Sequence, residues 1–180
     1  MNLKFLLLQL VLICAASAYE IIIEKLEQVP GKDGDVTKLK SFELKNFNES
    51  TKTLNGVMEL LEDIGEEFDA EGTAYNFADG KYNKIVSKKI TNVCTLYEYK
   101  NETLKESYED IENFITPRVA WKTCPYPKGV YELKDYVCED KRNLLPKTIP
   151  GGENWKVELR MKRKEQDVGG YDAYITVRKD

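Results

Sequence analysis

The 180-residue chain contains no histidine, and that absence decides most of its chemistry. Ser-His-Asp hydrolysis and Cys-His proteolysis both need an imidazole to move a proton, and most zinc sites need one as a ligand. Carboxylate pairs of the glycosidase kind need none. The 31 acidic side chains, however, are spread along the chain among 27 basic ones, and no pair stands out by its spacing. A charged, solvated surface accounts for them. The chain is therefore expected not to be an enzyme, to hold no metal and to use no cofactor.

Of four cysteines, Cys14 lies in an N-terminal segment with the marks of a cleavable signal. Lys4 is its positive charge and Phe5 to Ala16 its apolar run. Ala16-Ser17-Ala18 supplies the small residues that a signal peptidase requires. The run is short of the roughly 20 apolar residues that span a bilayer. Residues 1–18 are thus expected to be removed, leaving residues 19–180 as a single secreted, extracellular domain. Cys94, Cys124 and Cys138 then remain. Three cysteines allow at most one intramolecular disulfide, with the third a buried thiol or a link to a second chain. Asn48-Glu49-Ser50 and Asn101-Glu102-Thr103 are acceptor sites for N-linked glycans and fit the same compartment. Loss of Lys4 leaves the mature chain slightly more acidic, with the two signs interspersed, so nucleic acid is not an expected partner.

The elements that must position any site read mostly as strands. Trp155 to Lys162 alternates Trp155, Val157, Leu159 and Met161 with charged residues, the period of a half-buried strand. Tyr171 to Val177 repeats the pattern, and Gln166 to Gly170 reads as the turn between them. Shorter strands are predicted at 19–27, 38–47, 56–63, 67–77, 82–86 and 130–137. The last of these places Tyr131, Leu133, Asp135 and Val137 on one face. Thr103-Leu104-Lys105-Glu106 is a capping box. Leu104, Tyr108, Ile111 and Ile115 follow it at helical spacing until Pro117, which predicts one short helix. The apolar residues between Leu144 and Pro150 either fold back on the core or form a rim that touches a ligand or membrane. Many short strands separated by Gly and Pro turns make a mostly β sandwich or barrel.

Several blocks in order carry a resemblance. Leu54-Asn55-Gly56-Val57 is followed by Cys94, and then by Cys124-Pro125-Tyr126-Pro127-Lys128-Gly129-Val130-Tyr131. Lys134-Asp135-Tyr136-Val137, Leu145-Pro146-Lys147-Thr148-Ile149-Pro150-Gly151-Gly152 and the strand at Trp155 complete the series. Over nearly the whole mature chain this resembles the insect secreted chemosensory A/B proteins, relatives of the ganglioside activator and of the ML lipid-recognition proteins. The resemblance implies an ML-like antiparallel β-sandwich with an interior apolar cavity, no catalysis, and a Cys94–Cys124 disulfide. Such a bond closes a loop of about 30 residues, worth roughly 3–4 kcal/mol on chain entropy. It also implies a hydrophobic small molecule or lipid as partner, carried or presented in chemosensation, with a membrane surface or receptor at the point of delivery.

Cavity candidates are the inward sets Phe42, Leu44, Tyr131, Leu133, Trp155, Val157, Leu159, Met161 and Ile175, with Tyr108 and Ile111 from the helix. The same residues would fill the core of any sandwich. Two other functions share these features. One is a lysosomal or extracellular cofactor that transfers lipid to an enzyme. The other is a module with a filled core that binds proteins through its loops.

Overall fold

In a computed structural model, residues 19–46, 52–97, 111–120, 123–137 and 152–179 are described. They form nine strands: β1 (Tyr19–Val29), β2 (Thr37–Asn46), β3 (Lys52–Leu60), β4 (Phe68–Ala78), β5 (Lys81–Ile90), β6 (Ile115–Thr116), β7 (Gly129–Val137), β8 (Asn154–Arg163) and β9 (Gln166–Lys179). All pairings are antiparallel. One sheet has the order β1-β9-β8-β4-β5 and the other β2-β3-β7-β6. The expected antiparallel sandwich is the observed architecture. Chain excursions between sheets occur at β1–β2, β3–β4, β5–β6 and β7–β8.

Cross-strand partners share a face, so register assigns the interior rows. In the five-stranded sheet, Ala70, Gly72, Ala74 and Asn76 of β4 lie opposite Met161, Leu159, Val157 and Trp155 of β8. Trp155, Val157 and Leu159 are in turn opposite Ile175, Ala173 and Tyr171 of β9. In the four-stranded sheet, Phe42 and Leu44 lie opposite Gly56 and Leu54. Gly56, Met58 and Leu54 face Leu133, Tyr131 and Tyr136. One pole of the interior is closed by Phe68, Ile64, Tyr126, Val93 and Met161, all buried. Beside it the sulfurs of Cys94 and Cys124 are bonded, with their Cα atoms 5.9 Å apart. The bond ties the 3-10 turn Val93–Tyr97 to the segment entering β7.

The two sheets are also stitched along the β1/β2 side. The Gln28 side chain accepts from Leu39 N at 2.8 Å and donates to Thr37 O at 3.0 Å, standing in for the backbone of a neighbouring strand. Tyr171 Oη and Thr37 Oγ1 share a buried hydrogen bond of 2.7 Å between the sheets.

Three local readings of the sequence are corrected. The β8–β9 turn is Lys164-Glu165, not Gln166 to Gly170. Both turn residues have positive φ, 50° and 66°, and Arg163 pairs directly with Gln166. Gly169 and Gly170 lie inside β9, because a Cβ on Gly170 would sit 1.9 Å from Leu159 O. In β7 the alternation breaks. Asp135 has φ 52° at a register shift against β3, so Tyr136 turns inward while Asp135 stays exposed. Its N–H donates to the Asn55 side chain at 3.0 Å. A bulge at this point keeps a carboxylate out of the apolar interior. At the expected helix, Ile111 and Glu112 are helical, but Ile115 and Thr116 form β6 and pair with Leu133 and Glu132. The N-terminal part of that helix lies outside the described residues, as do Cys138, the two glycan acceptors and the Leu144–Pro150 loop.

Candidate functional site

Every predicted cavity residue within the described segments belongs to one interior cluster or packs on it. Tyr108 lies outside those segments. The cluster divides by burial. Ile111, Tyr131, Trp155, Leu159, Met161 and Ile175 are buried, whereas Phe42, Leu44, Leu133 and Val157 are only half-buried. Val157 is the informative member. It sits on β8, the middle strand of the five-stranded sheet, on the interior row. Trp155 and Leu159, two residues to either side of it on the same face, are buried. Val157 is thus less covered than its neighbours on the same row.

Small side chains surround Val157. The β4 row opposite β8 reads Ala70, Gly72 and Ala74, and Ala173 flanks Val157 from β9. Gly56 holds the centre of the interior row on the four-stranded sheet, between Phe42 and Leu133. Gly72, Ala74 and Gly56 are themselves only half-buried. Sequence alternation exposed the large members of these rows but not this run of small ones. The signal was present as Ala70-Glu71-Gly72-Thr73-Ala74, in which small and polar residues alternate. On the edge strand β5, Val86 lies opposite Ala74 and is 57% exposed, so the interior row continues to the surface on that side.

Polar groups within the same rows are satisfied by hydrogen bonds. Trp155 Nε1 donates to Gly152 O at 2.9 Å, and the buried Asn76 clasps the same glycine through its N–H and carbonyl at 3.2 and 3.0 Å. Tyr131 Oη donates to Pro127 O at 2.7 Å, and its ring lies 5.2 Å from that of Tyr126. Burial, aided by the charge of Asp63, pushes the Tyr131 phenol up from its ordinary value. Burial likewise pushes Tyr171 up to about 12. On the interior row of β5, Val86 and Ile90 flank Lys88, which lies opposite Gly72.

A network of charges lies on the outer face of the same sheet. There Lys156 bridges Glu158 and Asp172 at 2.8 and 2.7 Å, and Arg160 reaches Asp172 at 2.7 Å. Burial works against the Lys156 ammonium, but the hydrogen bonds and charges of Asp172 and Glu158 outweigh it and raise its pKa above the ordinary lysine range. Among the described residues no group of three or more His, Cys, Asp or Glu side chains is arranged to hold a metal, and no helix is long and apolar enough to cross a membrane.

No protein-family model and no curated protein matches the chain. Among solved structures it is similar to chicken MD-1, determined in complex with lipid IVa. The match has 12% identity and a TM-score of 0.35, and it covers 93% of this chain and 94% of that one.

Proposed function

We propose that the chain is a secreted, non-enzymatic carrier that holds an apolar ligand, a lipid or a long hydrocarbon, between its two sheets. The observation that supports it is the half-buried Val157 on the central strand, flanked by Ala74 and Ala173 where a filled sandwich would place large side chains. Pockets for apolar molecules have this character, mostly hydrophobic walls with few polar groups. The resemblance of the Cys124–Tyr131 and Leu145–Gly152 blocks to the insect chemosensory A/B proteins makes that ligand a chemosensory one, delivered at a membrane surface or receptor. In this reading residues 1–18 are removed on secretion, and Asn48 and Asn101 carry glycans.

Titration with cis-parinaric acid, a fluorescent fatty acid, tests the carrier. The wild type should show saturable binding. Val157→Trp should weaken it by about tenfold or more, by filling the space, while the far-ultraviolet circular dichroism is kept. Val157→Ala should retain binding. A flat titration of the wild type would overturn the reading and favour a filled core that acts through its loops.

A further inference from the structure

The edge strand β5 combines two features that a free sheet edge in an acidic chain does not need. Four of its ten residues are lysines, Lys81, Lys84, Lys88 and Lys89, and none is acidic. Ile85 and Val86 between them are 48% and 57% exposed. At the hairpin tip, Phe77 and Tyr82 stack edge to face with centroids 5.1 Å apart, and both are exposed. Lys89 is engaged by Asp69 and Glu165. Among the described residues no carboxylate forms an ion pair with Lys81 or Lys84.

We propose that β5 is a membrane-docking edge that seats on an anionic lipid bilayer. Charge complementarity selects the occupant. A second copy of the chain would set lysines against lysines, which is how sheet edges resist self-pairing. An added protein strand would need a continuous ladder of backbone groups. Here the register between β4 and β5 shifts at Ala74/Tyr75, where Ile85 is the extra residue. A bilayer needs no ladder. Its anionic headgroups attract lysines within a Debye length, its interface accepts Tyr and Phe, and its acyl boundary accepts Ile85 and Val86. The remainder of the chain is net acidic and would be repelled, so attraction also sets the orientation. The docking takes its purpose from the proposed carrier function, because the interior row reaches the surface at Val86, on this same edge. A ligand would then enter or leave where the protein meets lipid.

Co-sedimentation of the secreted chain with vesicles tests the docking. Vesicles of about three parts phosphatidylcholine to one of phosphatidylserine should bind it, pure phosphatidylcholine vesicles should bind at least roughly tenfold more weakly, and high salt should release it. The double variant Lys81→Ala, Lys84→Ala should lose about tenfold or more in affinity for the anionic vesicles, and Ile85→Ser several-fold. Both variants should titrate with cis-parinaric acid as the wild type does. Equal binding to both vesicle types, absence of vesicle binding, or wild-type vesicle affinity in the lysine variant would overturn the docking. Vesicle binding that follows the predicted pattern beside a flat fatty-acid titration would support the docking and sink the carrier reading alone.

Discussion

Tyr171 shows what a single buried hydroxyl contributes. Its ring is fully buried on β9 and its hydroxyl reaches across to Thr37 on the opposite sheet. Burial holds its pKa near 12, above the unfolded value near 10. The folded state therefore favours the protonated phenol. The stability this confers is complete below pH 10, declines as pH rises towards 12 and is absent above it. A shift of that size corresponds to roughly 3 kcal/mol. Tyr171→Phe should accordingly flatten the fall in stability between pH 10 and 12, measured by urea unfolding at each pH. At neutral pH it should cost about 1 kcal/mol through the lost inter-sheet hydrogen bond. An unchanged alkaline slope in the variant would show that other groups carry it. Residues such as Trp155, Leu159 and Tyr131 were legible in the sequence because period two marks a strand's inner face whatever the partner. Whether a residue of such a row ends buried, like Leu159, or half-buried, like Val157, depends on the residues opposite, and no local pattern encodes that.

At the scale of elements, the strands themselves were well marked and their irregularities were not. The C-terminal hairpin is the clearest case. Gly169-Gly170 has the composition of a turn, yet it serves close approach between β9 and β8, while Lys164-Glu165 turns the chain at positive φ without a glycine. Asp135 marks the point where β7 changes face, since an apolar interior row offers a carboxylate nothing to pair with. The expected helix gives way to a strand at its C-terminal end, because Ile115 satisfies both a helical period and a short strand beside Leu133. The hairpin yields opposed expectations for two variants. Gly170→Ala should destabilise by about 3 kcal/mol or more, because its Cβ meets the Leu159 carbonyl, a backbone atom that cannot swing aside. Replacing Lys164-Glu165 by Asn-Gly should stabilise by about 1 kcal/mol, because both positions then suit positive φ. Thermal unfolding of the two variants, compared with wild type, checks both signs.

At the scale of the molecule, the Cys94–Cys124 bond joins the five-stranded sheet's exit to the entry of β7, at the closed pole. Reduction should cost roughly 3–4 kcal/mol, the chain entropy of a loop of about 30 residues. Urea midpoints with and without reductant measure it, and an unchanged midpoint would show that the buried packing of Val93 and Tyr126 holds the pole without the bond.

The Gln28 stitch gives the sandwich a spine. Along the β1/β2 side the sheets are joined by side-chain-to-backbone bonds that copy a strand pairing, whereas on the far side β5 reaches solvent with Val86 uncovered. The Cys94–Cys124 bond adds a second tie, from the end of β5 to the approach to β7, so the β5 margin is pinned at that pole only. Hydrogen exchange should read that asymmetry: Leu39 N–H should stay protected, while the amides on the unpaired edge of β5 exchange fast.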